Sequence, residues 1–222
     1  MRLLFACWVA LAFSAAAQAN LIGVTRETNI NATATAGSVI DNKSVTEPTF
    51  ADFDKTFTAG AAASGATGSA TASQTSTVGN GSGPISARGG AASALSGSGA
   101  ASAGSSFEYQ FVSDTTDLYR FLGGISASGS GDVTVYLHDT AAPPDSNLLF
   151  RQVGTGLTPT DSWIQDFMLQ AGHTYDIFVG ATSGPAQGST SYNIQLNPVP
   201  EPGLMMSMAG MAILLWRRGK RN

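Results

Sequence analysis

The sequence predicts an all-β protein, an antiparallel β-sandwich or jelly roll, and three observations carry that prediction. Apolar and polar residues alternate in short runs through the second half of the chain, as at Phe107, Tyr109 and Phe111. Clusters of Gly, Pro, Asn, Asp and Ser interrupt these runs roughly every ten residues, the spacing typical of sandwiches. Gly and Ser are spread through the first half, which makes helices there the least favoured structure.

The second half, from Phe107 to Leu196, is expected to supply six or seven strands. A loop over residues 141–146 and turns at 170–173 and 184–188 separate them. The expected strands begin at Phe107, Asp117, Asp132, Leu148, Trp163, Tyr175 and Tyr192.

The first half is interpreted from composition. Residues 20–44 are polar and are expected to form a flexible leader or an edge strand, ahead of a sandwich domain over 45–197. Residues 59–106 are almost entirely Ala, Gly, Ser and Thr, which is compatible with a disordered linker. However, Ser and Thr alternate with Ala over 69–78, which is the strand period. Long strands of small residues, which let two sheets approach closely, are therefore the favoured interpretation.

The N-terminus has the pattern of a secretory signal peptide over residues 1–19. A positive Arg2 precedes an apolar run over 3–13, and Ala17 and Ala19 occupy the small positions of an A-x-A cleavage site. Cleavage is expected before Asn20. The single cysteine lies inside this segment, so the processed chain would contain neither disulfides nor thiolate sites.

The C-terminus, residues 198–222, combines a rigid polar spacer, an apolar segment and a basic end. The apolar segment over 203–216 is about 14 residues, or roughly 21 Å of helix, shorter than the roughly 30 Å hydrocarbon core. Basic residues after such a segment hold that end on the cytoplasmic side. A short transmembrane helix of this kind is expected to hold the chain only briefly. The residues that define the pattern are Val199, Pro200, Glu201 and Pro202, followed after the apolar segment by Arg217 and Arg218.

This C-terminal pattern resembles the PEP-CTERM sorting signal of Gram-negative bacteria. The resemblance implies export through the inner membrane, processing by an exosortase-type membrane enzyme, and release or attachment at the cell surface in an exopolysaccharide or biofilm context. An uncut tail anchor is the alternative. Separately, residues 169–196 are similar to the closing hairpin of bacterial surface sandwiches and to pre-peptidase C-terminal domains, a likeness that bears on fold only.

Charge excludes one class of partner. Between residues 20 and 200 there are six basic and fourteen acidic residues, a net charge of −8 that the basic tail masks in the whole-chain value of −4. Such a body repels nucleic acid, so no nucleic-acid partner is expected.

No catalytic or metal-binding pattern is found, so no enzyme activity, cofactor or metal is predicted. The only histidines are His138, expected on the outer face of a strand, and His173, expected in a turn. Neither a G-x-S-x-G nor a P-loop motif occurs. Acidic loop residues leave structural calcium as an alternative to ordinary turn chemistry. These residues are Asp114, Asp117, Asp132, Asp139, Asp145, Asp161 and Asp166.

Two functions remain. The first is a structural or adhesive protein of the cell surface or extracellular matrix. The alternative is a carbohydrate-binding β-sandwich module, in which Tyr119, Tyr136 or Trp163 would stack on sugars if exposed. A coplanar row of exposed aromatic rings, or a cleft rimmed by Asp and aromatics, favours the module. A flat face of Ser, Thr and Ala favours the structural protein.

Overall fold

The computed structural model describes residues 20–79, 83–156 and 160–199, and every regular element in these ranges is a β-strand. The all-β prediction is therefore confirmed. The strands are β1 (Leu21–Ala36), β2 (Val39–Glu47), β3 (Phe53–Ala63), β4 (Ala66–Val78), β5 (Ile85–Ser96), β6 (Ala100–Ser113), β7 (Asp117–Asp139), β8 (Leu148–Thr155), β9 (Thr160–Leu169) and β10 (Thr174–Pro198).

The ten strands form one continuous antiparallel sheet that folds back on itself into two layers. Layer A has the order β2-β1-β6-β10-β7-β8 and uses residues 174–183 of β10 and 131–139 of β7. Layer B has the order β3-β4-β5-β10-β7-β9 and uses residues 188–198 of β10 and the N-terminal part of β7. The architecture is consistent with the predicted β-sandwich or jelly roll.

Strands β7 and β10 are long because each passes from one layer into the other. Their pairing shifts register between Ser183 and Gly188, opposite Gly129, whose φ of 59° is open to glycine and strained for other residues. The sequence predicts a chain-reversing turn at 184–188 and two separate strands, one beginning at Asp117 and the other at Asp132. Both expectations are wrong: the glycines bend a continuous strand, because its backbone pairing to the neighbouring long strand resumes after the bulge.

The polar N-terminal segment is also more ordered than expected. Residues 20–44 supply β1 and most of β2, and β1 is an interior strand between β2 and β6. Its inward positions Ile30, Ala32 and Ala34 are fully buried. The Ala/Gly/Ser/Thr-rich segment over 59–106 forms strands, as favoured, with Ala70 and Ala72 buried and the intervening Ser and Thr turned outward.

The core between the layers has two parts. One part is built from aromatic and branched side chains of β6, β7 and β10, including Phe107, Tyr119 and Tyr192. The other part is almost entirely alanine, with Ile30 and Phe53 as its bulky members. Small side chains bring the alanine-lined layers together: a Cβ on Gly68 would lie 2.5 Å from the carbonyl oxygen of Ala100 on the opposite layer.

The two termini lie largely outside the described residues. This applies to the predicted signal peptide over 1–19, to the segment over 203–216 predicted as a transmembrane helix, and to all of the sorting motif except Val199. In the part of the chain that is described, no helix has the length and hydropathy needed to cross a bilayer.

Candidate functional site

The acidic loop residues considered as calcium ligands mostly form hydrogen bonds or ion pairs with nearby backbone and side-chain groups. Asp117 accepts a hydrogen bond from the Leu118 amide at 2.7 Å, and Asp161 accepts one from the Ser162 amide at 2.7 Å. Asp166 forms a bidentate pair with Arg120 at 2.8 and 2.9 Å, which lowers the pKa of the Asp166 carboxyl. Across residues 20–79, 83–156 and 160–199, no three His, Cys, Asp or Glu side chains are grouped to hold a metal ion.

The two histidines lie where the sequence places them. His138 is on the outer face of β7, and His173 is in the turn before β10. The Nδ1 atom of His173 lies 2.8 Å from Oδ2 of Asp139, so this histidine joins the end of β7 to the start of β10.

The predicted processing residue Asn20 has a specific partner. Its backbone nitrogen donates to Oδ1 of Asp114 at 2.7 Å, while the Asp114 amide donates to the Asn20 carbonyl at 3.1 Å. Ala17, Ala19, Pro200, Glu201, Pro202, Arg217 and Arg218 lie outside the described residues.

Of the three aromatic residues considered for sugar stacking, only Tyr136 lies on an open face. Tyr119 is buried in the core. Trp163 points inward and packs on Phe150 at 4.9 Å between ring centroids. Tyr136 is half-buried on the outer face of layer A, where its ring is stacked on both sides.

Three stacked rings form what we term the aromatic column, His138, Tyr136 and Phe178. The Tyr136 ring lies 4.3 Å from His138 and 5.0 Å from Phe178, with interplanar angles of 17° and 16°. Phe178 leans along its own strand over Gly180, where a Cβ would lie 2.8 Å from the Phe178 Cζ. Because the rings are stacked face to face, they do not form a coplanar platform for a sugar. A ligand can contact only the exposed edges of the rings and the outer faces of the two end rings.

A carboxylate lies beside the aromatic column. Asp176 occupies an outward position of β10 between Gln110 and His138, yet it is only 8% exposed. Its Oδ1 atom is buried and has no hydrogen-bond partner among the described residues. Burial, and secondarily the charge of Glu108, raise the pKa of Asp176 to about 6, although a hydrogen bond with Tyr136 opposes the rise.

The same environment affects Tyr136. Burial and the nearby charges of Asp176 and Glu108 raise the pKa of its phenol to about 12. The hydroxyl therefore keeps its proton at neutral pH and can donate it in a hydrogen bond to Asp176.

Glu108 extends this group across the sheet. It pairs with Phe178 on one side and lies directly opposite Glu27 on the other. We term Glu27, Glu108 and Asp176 the acidic group. Of the ion pairs found within the described ranges, none includes a member of this group. Arg151, the cation in the same cross-strand row, lies beyond Tyr136 on β8.

The outer face of layer B has a different character. Ser and Thr hydroxyls pair with one another across its strands, as in Thr67–Ser96, Thr77–Ser86 and Ser128–Ser189, each at 2.8 Å. A shallow depression of about 340 Å³ lies on this layer, lined by polar groups that include Arg88 and Asn193. The outer face of layer B is therefore rich in hydroxyl groups, as a structural role predicts.

An apolar groove lies at the start of β1. It has a volume of about 370 Å³ and is lined by Ile22, Gly23, Phe50 and Tyr109 among others. Phe50 meets Tyr109 edge to face at 6.2 Å and is 43% exposed.

No protein-family model and no curated protein matches the chain. Among solved structures, TmCBM61 in complex with β-1,4-galactotriose is 13% identical, with a TM-score of 0.31, and the match covers 46% of this chain and 72% of that one. A CBM4 structure is 12% identical, with a TM-score of 0.28 and coverage of 49% and 75%. The enzymatically active domain of bacteriophage CBA120 tailspike protein 4 is 12% identical, with a TM-score of 0.29 and coverage of 59% and 19%.

TM-scores this low do not indicate a ligand or an activity for this chain. The resemblance to PEP-CTERM proteins likewise stays a prediction.

Sequence reasoning did not single out Glu108, Asp176 or Phe178. The sequence contains a usable signal in the strand Tyr175-Asp176-Ile177-Phe178-Val179, where the carboxylate Asp176 and the aromatic Phe178 are two residues apart. Because alternate residues share a face, that spacing placed a ring and a carboxyl together on the open side of the sheet. The cross-strand neighbours depend on register, which the sequence alone does not show.

Proposed function

We propose that this chain is a carbohydrate-binding β-sandwich that works outside the cytoplasm, with the outer face of layer A as its binding face. The observation that carries the proposal is the buried carboxylate of Asp176, whose Oδ1 atom has no hydrogen-bond partner among the described residues, beside a column of half-exposed aromatic rings. Sugars present apolar C–H surfaces together with many hydroxyl donors. Aromatic side chains beside a few fixed polar groups suit that mixture.

The side of Phe178 turned away from Tyr136 is the side where the carboxylates lie. Glu108 pairs with Phe178 across the sheet, and Asp176 pairs with Gln110 in the neighbouring row. A sugar ring resting against Phe178 on this side would meet the aromatic column and lie beside the carboxylates of Glu108 and Asp176. Export and exosortase processing, supported by the patterns at the two ends of the chain, would deliver this face to an exopolysaccharide.

The test is binding of the exported protein to immobilised exopolysaccharide and neutral glycans. We expect saturable retention that free sugar competes away. Tyr136→Ala should weaken it at least tenfold, whereas Tyr136→Phe, which keeps the ring, should weaken it less. Phe50→Ala removes an exposed aromatic ring that packs on the inward-facing Tyr109, on the other side of the sheet, and should leave binding unchanged. Equal loss in Phe50→Ala and Tyr136→Ala, or no loss in either, would contradict the proposed site.

A structural or adhesive role is the second candidate, and the hydroxyl-rich outer face of layer B supports it. On this proposal the protein associates with the matrix through many weak contacts. Retention that neither saturates nor responds to Tyr136→Ala would favour this role over the binding module.

A further inference from the structure

Among the residues that the structure describes, no cation forms an ion pair with the acidic group on layer A. Glu27 and Glu108 are directly opposite each other on neighbouring antiparallel strands, an arrangement in which like charges repel. Asp176 lies diagonally beside Glu108, and the electrostatic influence of Glu108 on Asp176 is unfavourable to its ionised form. A positive charge bound here would relieve both repulsions.

Asp176 supplies an independent sign of a missing partner. Its Oδ1 atom is buried without a hydrogen-bond donor, although the residue faces outward on β10. Leaving a buried acceptor unpaired is costly, and more so for a charged one. A primary ammonium group carries three donors and a positive charge, so it satisfies this carboxylate in both respects.

The aromatic column indicates which kind of cation would bind beside the acidic group. The face of the Phe178 ring turned away from Tyr136 can attract a cation through its π-electrons, and the column also offers apolar surface to an organic ligand. Calcium needs six to eight oxygen ligands, and no three metal-ligating side chains are grouped in the described part of the chain. The surroundings therefore fit an ammonium attached to a carbon framework better than a bare metal ion.

We propose that the glycan bound on layer A contains amino-sugar units with free ammonium groups, that is, hexosamines lacking the N-acetyl group. The ammonium lies between Glu108 and Asp176, and the sugar ring rests against the aromatic column. This inference rests on the proposed glycan-binding function and adds that the bound glycan carries positive charge.

The test compares two oligosaccharides of equal length, a β-linked glucosamine oligomer and its fully N-acetylated form, at pH 7.5 and physiological salt. Calorimetry on the full exported protein should show at least tenfold tighter binding of the unacetylated oligomer. Glu108→Gln and Asp176→Asn should each remove most of this preference. Asp54→Asn, which removes one negative charge from the outer face of layer B, is the matched control and should keep the preference intact.

Each other result has a definite meaning. Equal binding of the two oligomers overturns the charge inference and leaves glycan binding standing. A preference that Asp54→Asn reduces as much as Glu108→Gln reflects overall negative charge and overturns the site. Binding of neither oligomer, together with no binding of neutral glycans, overturns both proposals. Saturable Ca²⁺ binding that Glu108→Gln abolishes would replace the amino sugar with a metal. Glu108 is half-exposed, so its variant tests the site independently of the buried Asp176.

Discussion

Asp176 shows how one residue can be costly to the fold and useful to a site. An ionised carboxyl that is buried without full hydrogen bonding destabilises the native state, which is why the pKa of Asp176 is raised to about 6. The folded protein consequently holds the Asp176 proton more tightly than the unfolded chain does. Stability should fall as the pH rises from about 4 to about 6, the opposite of the usual behaviour of a paired aspartate.

We predict that Asp176→Asn stabilises the protein above pH 6 by about 2 kcal/mol and has little effect at pH 4. The amide removes the charge and keeps a similar shape. Chemical denaturation of both forms across this pH range checks the prediction. The ionisable side chains of Glu108, Tyr136 and His138 also face Asp176, so the difference between variant and wild type is the relevant quantity. A difference independent of pH would show that Asp176 is not the group responsible.

Among the strands, those of small residues determine how closely the two layers approach. The inward positions in the first part of β4, at 66–72, and of β6, at 101–103, are alanine or glycine, and Gly68 approaches the backbone of the opposite layer at Thr35 and Ala100. Larger side chains here would have to push two hydrogen-bonded strands apart. The packing therefore requires the small side chains of this segment, because the closely spaced layers leave no room for larger ones.

We predict that Gly68→Ala destabilises the protein by roughly 1–3 kcal/mol, the usual cost of overpacking. The new Cβ would lie 2.5 Å from a backbone oxygen, which cannot swing away as a side chain would. Gly60→Ala on β3 is the matched control, since nothing lies within 4 Å of its added Cβ. Thermal unfolding should show a lower midpoint for the first variant and an unchanged or higher one for the second. Equal midpoints for the two variants would contradict close packing at Gly68.

At the scale of the whole molecule, the first described residue, Asn20, has defined contacts at the end of a distant strand. Asn20 is tied to Asp114 at the end of β6 by reciprocal hydrogen bonds. If cleavage occurs before Asn20, the new α-ammonium lies next to a carboxylate, and the mature chain gains an ion pair at its first residue.

We predict that protein recovered from the cell exterior begins at Asn20 and lacks the C-terminal apolar segment. Intact mass spectrometry measures both processing sites in one experiment. Full-length chain in the cytosol, with both ends uncut, would contradict export and sorting together.

We further predict that the α-amino group of this mature chain has a pKa above its usual range of about 7.7–8.0. The nearby Asp114 carboxylate stabilises the charged amine. Asp114→Asn should return the pKa to that range, as measured by the pH dependence of α-amine labelling. The effect on stability should stay small because the pair is exposed.

The sequence by itself determined the all-β class, the inward set of side chains such as Val133, Val135 and Leu137, and the strand nature of the small-residue segment. These properties are local: alternation with period two is written along the chain and does not depend on which strands become neighbours. The same local information places Tyr136 and His138 on an outer face.

Only the tertiary structure decided that β7 and β10 run through both layers, that β1 is an interior strand, and that Glu27, Glu108 and Asp176 lie on three neighbouring strands beside the aromatic column. Each of these depends on the register between strands distant in sequence, and a one-residue slip would move every side chain to the other face. The physical reason is that register is selected by packing across the whole core, which no single segment contains.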